Sequence, residues 1–121
     1  MKGIGIDAVD VERFRTTLTR RPGMRQRLFT PVELAYVAPK ADDVPSLAGR
    51  FAAREAVMKV MGVGLGAFGF HDVWVERLDS GQPTLKVTGA AQVLADERDI
   101  SSWHLTITHT DIVAIACVVA E

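Results

Sequence analysis

The sequence contains one cysteine, Cys117, among 121 residues. No internal disulfide is available, and its apolar neighbours Ile115, Ala116, Val118 and Val119 read as core. A reducing, cytoplasmic setting is the expectation. Neither charge is in surplus: 14 Lys and Arg stand against 15 Asp and Glu, a net charge of -1. That balance excludes polyanion binding by global charge. No apolar run approaches the roughly 20 residues that span a bilayer. Asp7 and Asp10 come too early for a signal peptide, so no membrane partner is expected. Clustered Cys and His are missing, which argues against zinc. Repeats, linkers and low-complexity tracts are missing too. What is present is 48% hydrophobic, enough for a core, in a length that fits one domain over residues 1–121. So small a domain often buries further surface by oligomerising.

The patterning predicts an α+β domain, with helices early and an antiparallel sheet late. GIGIDAV (3–9) reads as a strand. Asp10 is placed to cap a helix from Val11, with Val11, Phe14 and Leu18 on one face. Residues 21 and 22 break it. Thr30-Pro31-Val32-Glu33 has the form of a capped helix start, and that helix ends near Pro39. A long helix is expected over 47–61, capped by Ser46 and ended by Gly62. Strands follow at 72–78 and 83–89 around a turn at 79–81. A helix at 90–99 and an alternating strand at 104–110 come next. The apolar segment 111–120 reads as a strand buried on both faces.

The long helix carries charge where apolar residues dominate: FAAREAVMKVMG holds Arg54, Glu55 and Lys59. Glu55 and Lys59 share a face, and the plain reading is an exposed ion pair worth about 0.3–0.5 kcal/mol. Against it, Ala52, Ala53, Ala56, Val57, Val60 and Met61 leave little of the surface polar. Glu55 should then be partly buried and need a cation. Asp7 is the obvious second carboxylate, either as a plain strand-ending residue or, with Asp10 taking the cap, as a ligand. Two carboxylates with few other ligands suit Mg²⁺, which keeps waters and completes its shell with substrate phosphates.

Gly64, Gly66 and Gly69 match G-x-G-x-x-G, but they follow a helix, so the dinucleotide-binding reading fails. The run is a helix-to-strand connection or a loop whose N–H groups approach phosphates. His109, between Thr108 and Thr110 at a strand end, is either structural or a hydrogen-bond donor to an anionic ligand. Six arginines lie between residues 13 and 27 with no acid among them. They form a solvated basic face, a nucleic-acid surface, or a dock for an acidic helical protein with Phe14 and Met24 as apolar anchors. The single aromatic, Phe14, and the lack of a nucleic-acid motif favour the protein partner.

GIGIDAVDVERF, FTPVELAY, LAGRFAAREAVMKVMG and TITHT, in that order, resemble the holo-(acyl-carrier-protein) synthase family of small 4′-phosphopantetheinyl transferases. The third segment resembles that family's F-A-x-K-E-A-x-x-K-A-x-G signature. Arg54 stands where the family usually has Lys, and Thr106 where Ser is common. The resemblance implies Mg²⁺-dependent transfer of the 4′-phosphopantetheine arm of coenzyme A to a serine of apo acyl carrier protein in fatty-acid biosynthesis. Adenosine 3′,5′-bisphosphate would be released. It implies that Asp7 and Glu55 hold Mg²⁺, with Glu55 the first choice to take the serine proton and Lys59 on the pyrophosphate. Arg50 and His109 would contact coenzyme A phosphates, and the loop of Gly62 and Gly64 would give the nucleotide room. Arg13, Phe14, Arg20, Arg21 and Arg25, with Met24, would grip the acidic carrier protein. It also implies a homotrimer with active sites between subunits. The competing reading is a nucleic-acid-binding module using segment 13–27.

Overall fold

The computed structural model describes residues 1–121. Strand β1 (Gly3–Asp10) leads into α1 (Val11–Arg20). The junction follows from Asp10, whose carboxylate accepts the Arg13 N–H at 2.8 Å, a side-chain cap. Two short helices follow, α2 (Met24–Leu28) and α3 (Pro31–Val37). The α3 start is a full capping box between Thr30 and Glu33, as the sequence predicts. Helix α4 (Val44–Met61) crosses the molecule and ends on Gly62, whose φ of 67° suits a residue without Cβ. A loop and a single 3₁₀ turn (Phe70–Asp72) lead to the hairpin β2 (Val73–Arg77) and β3 (Pro83–Val87). Helix α5 (Gly89–Glu97) precedes β4 (Trp103–His109) and β5 (Val113–Ala120).

The main sheet is antiparallel in the order β1-β5-β4, and β2-β3 form a separate pair. Helix α4 lies across the inner face of the main sheet and also touches α1 and β2. It is apolar almost all round because it is packed almost all round: Leu47, Ala48, Ala52, Ala53, Ala56 and Val57 have no exposure. Gly5 fixes how near β1 comes, because a Cβ there would lie 2.1 Å from the Ala56 carbonyl oxygen. Only glycine lets strand and helix backbones approach so closely. Two residues further along the strand stands Asp7.

Three expectations change. Segment 111–120 is not buried on both faces: β5 alternates, with Ala114, Ala116, Val118 and Ala120 inward. Its outer face joins Ile4 and Ile6, which are 59% and 58% exposed. A continuous apolar run reads alike whether one or both faces are covered. Helix α4 begins three residues before 47, so Ser46 lies inside it, and the N-cap position falls on Asp43. Helix α2 went unpredicted because it is five residues long, starting after Gly23 without a side-chain cap. The other boundaries shift by one or two residues.

Candidate active site

The close approach of β1 and α4 puts Asp7 beside two side chains of the helix. Lys59 Nζ donates to Asp7 Oδ1 at 3.0 Å and to the Ile6 carbonyl oxygen at 2.9 Å. Glu55 stands one turn earlier, half-buried, with no hydrogen bond or ion pair of its own. Burial, then the neighbouring Asp7, push its carboxyl above the usual range, and Lys59 opposes them in part. The plain reading of a Glu55–Lys59 ion pair does not hold: Lys59 pairs with Asp7 instead. Lys59 is exposed rather than buried.

Asp7 and Glu55 line one cleft of about 380 Å³, with Asp10, Arg13, Phe14 and Phe51 also on its walls. No group of three or more His, Cys, Asp or Glu side chains gathers anywhere as a metal cluster. The donor set nonetheless fits Mg²⁺. A half-buried carboxylate lacking a cation beside a second carboxylate leaves positions for water and phosphate oxygens, which is how that ion is usually held.

Phe14 and Phe51, with ring centroids 5.3 Å apart, also line an adjoining apolar cleft of about 320 Å³ that includes Arg21, Met24, Leu65 and Phe70. Of the expected partner-binding residues, Arg13, Phe14, Arg21 and Met24 thus surround two neighbouring clefts, although Phe14 is itself core. Arg20 lies exposed in the last turn of α1. Arg25 is occupied by Asp43, Nη2 to Oδ1 at 3.1 Å. Arg15 binds Asp42 at 2.8 Å, and that hydrogen bond holds the Asp42 carboxyl well below the usual range. The basic stretch is therefore no continuous unpaired stripe, which weakens the nucleic-acid reading.

Arg50, His109, Gly62 and Gly64 do not line the cleft of Asp7 and Glu55. Five helical residues put Arg50 about 140° around α4 from Glu55. There it is buried, its Cζ 4.6 Å from the centroid of the Tyr36 ring, with Nε lacking a partner. Burial lowers its pKa. His109 is exposed at the end of β4, two strands or about 10 Å across the sheet from β1.

The sequence reading missed the partner of Arg54. Arg54 is fully buried against Glu33, Nη1 to Oε2 at 2.9 Å, and its Nε donates to the Phe70 carbonyl at 2.8 Å. Glu33 read only as a capping residue. The available signal was an arginine on an apolar helix, which demands a buried acid.

An α+β domain with two carboxylates and an ammonium converging where a strand meets a long helix has the means to bind a cation and a phosphorylated substrate. Residues 3–118 match the 4′-phosphopantetheinyl transferase superfamily. A holo-[acyl-carrier-protein] synthase of Frankia alni is 48% identical, over 98% of this chain and 96% of its own length. The crystal structure of the Neisseria meningitidis holo-[acyl-carrier-protein] synthase is 31% identical with a TM-score of 0.89, covering 100% of this chain and 98% of that one. The Helicobacter pylori synthase in complex with coenzyme A is 29% identical with a TM-score of 0.84, covering 98% and 99%. The chain belongs to the 4′-phosphopantetheinyl transferase superfamily, as an enzyme of the holo-[acyl-carrier-protein] synthase family.

Proposed function

We propose that residues 1–121 act as a single domain that transfers the 4′-phosphopantetheine arm of coenzyme A to a serine of apo acyl carrier protein, with Mg²⁺. The observation that carries this is the convergence of Asp7 and Glu55 on one cleft beside Lys59, in a chain of this family. The coenzyme A complex of the Helicobacter pylori relative supports the donor.

Asp7 and Glu55 would hold Mg²⁺, which would supply positive charge against the charge that develops on the leaving phosphate. Glu55 takes the proton of the serine hydroxyl. The serine oxygen bonds to the phosphorus that bears the pantetheine arm. The bond from that phosphorus to the bridging oxygen breaks, and adenosine 3′,5′-bisphosphate leaves. Lys59, beside Asp7 and largely exposed, supplies the positive charge that meets the diphosphate. Arg13, Phe14, Arg20, Arg21, Met24 and Arg25 present the face for an acidic carrier protein.

His109 contacts coenzyme A phosphates, and Gly62 and Gly64 leave space for its nucleotide, whereas Arg50 is buried against Tyr36 and is closed to the contact the sequence suggested. Within one chain His109 stands away from the acid cleft, which favours a site completed by a second subunit. A homotrimer with sites between subunits satisfies that. The exposed stripe of Ile4 and Ile6, in register with Val119 and Cys117 on β5, supplies an apolar face for it. The same reading places the enzyme in the cytoplasm, serving a fatty-acid or polyketide carrier protein. No helix is long and apolar enough to cross a membrane.

Mass spectrometry of apo carrier protein incubated with the enzyme, coenzyme A and Mg²⁺ tests the reading. A gain of roughly 340 Da, the mass of the arm, is expected. Glu55→Gln and Asp7→Asn should each abolish it with the fold intact. No gain with a competent carrier, together with salt-sensitive nucleic-acid binding that ignores Glu55, would overturn it.

A further inference from the structure

Lys59 stands where a phosphate-binding lysine has no need to stand. Its ammonium is committed to Asp7 Oδ1 and to the Ile6 carbonyl oxygen, while Glu55, one turn back, has no partner within the chain. Asp7 is only 18% exposed, so water screens the pair less than it would an open surface contact. We propose that Lys59 is the resident counter-ion of Asp7, displaced when a divalent cation binds, and that this exchange makes binding of the cation and of coenzyme A mutually dependent. The inference rests on the reading of Asp7 and Glu55 as the cation's ligands.

A Mg²⁺ ion bound to Asp7 lies about 2.0–2.1 Å from a carboxylate oxygen. An ammonium hydrogen-bonded to the same carboxylate would then sit a few ångströms from a double positive charge. The two cations repel, so metal binding favours release of the lysine from Asp7 toward another anion. Its four-carbon stem is flexible, and its side chain is 54% exposed, so nothing in the packing prevents the swing. The diphosphate of coenzyme A carries enough negative charge to accept the ammonium and to bind the metal. Without it, Mg²⁺ must displace Lys59 into solvent. With it, the displaced lysine gains a new partner. Coupling of this kind is reciprocal: whatever factor coenzyme A adds to metal affinity, the metal adds to coenzyme A affinity.

The test is calorimetric titration with MgCl₂ alone, then in the presence of coenzyme A, on the full-length wild-type chain and on Lys59→Gln, Lys59→Arg and Asp7→Asn. Lys59→Gln should bind Mg²⁺ alone at least about 5-fold more tightly than wild type, the low end of ordinary site coupling. Coenzyme A should tighten Mg²⁺ binding strongly in wild type and by a smaller factor in Lys59→Gln. Lys59→Arg keeps the charge and should remain weak. Asp7→Asn should lose the binding heat, which locates the ion. Unchanged or weaker Mg²⁺ affinity in a folded Lys59→Gln, equal tightening in Lys59→Arg, or retained heat in Asp7→Asn would each overturn the proposal. Transfer to carrier protein is scored separately. Tighter Mg²⁺ binding without transfer would remove the reaction and leave the exchange standing. Transfer with unaltered Mg²⁺ affinity would remove the exchange alone.

Discussion

The guanidinium of Arg54 and the carboxylate of Glu33 form an ion pair with no solvent exposure on either side. The pair joins α4 to the start of α3, and each end is satisfied further. Glu33 also accepts the N–H groups of Thr30 at 3.0 Å and Val75 at 3.1 Å. Arg54 adds the Phe70 carbonyl, and its Cζ lies 5.2 Å from the centre of the Phe29 ring. One arginine therefore ties three elements together through the directions of its fork, which a point-charge ammonium does not reproduce.

Removing one partner leaves the other charge buried and alone. Glu33→Gln should lower unfolding stability by about 3–5 kcal/mol, read from the midpoint of a urea titration. The double change Glu33→Gln with Arg54→Met should lose less than Glu33→Gln by itself, because no orphaned charge remains. A Glu33→Gln midpoint equal to wild type would mean that the pair contributes nothing.

Glu55 has a carboxyl raised first by burial and then by Asp7. A group whose folded pKa lies above its unfolded value, about 4.3 for Glu, contributes stability below that value and loses it as pH rises through the folded one. Glu55→Gln carries no such loss. The variant should gain on wild type as pH climbs out of the ordinary carboxylate range toward neutral in metal-free buffer. Thermal unfolding of both at several pH values measures this. A constant gap from acid to neutral pH would mean that the environment of Glu55 does not favour its protonated form.

Ile6 points away from the core into an exposed apolar face. If that face is where subunits meet, Ile6→Asp places a charge in the interface and should break the assembly. Sedimentation should then report 13.2 kDa in place of three times that mass. Transfer activity should fall with it, because His109 would no longer reach a neighbouring cleft. A variant that keeps both the wild-type mass and its activity would place the interface elsewhere.

Much of this was legible in local signals. Asp10 as a cap, the Thr30/Glu33 box, Gly62 as a helix end and the antiparallel pairing of the last strands each depend on a few adjacent residues. The pairing of Asp7 with Glu55 was also accessible, because few other carboxylates sit among apolar neighbours. The partner of Arg54 was not, since Glu33 already had a local role that explained it. The fate of the arginines was not legible either. Arg15 and Arg25 reach Asp42 and Asp43 across a loop, and charge counting along the chain cannot distinguish a paired cation from a free one.

By itself the sequence determined which segments are strands and helices, and the chemistry present on each, because propensity, capping and periodicity act over a few residues. Only the tertiary structure decided which charges meet. Lys59 could have paired with Glu55 four residues away, yet Gly5 lets β1 close on α4 and gives Lys59 to Asp7. Coulomb energy depends on distance in space, and the path of the backbone sets that distance.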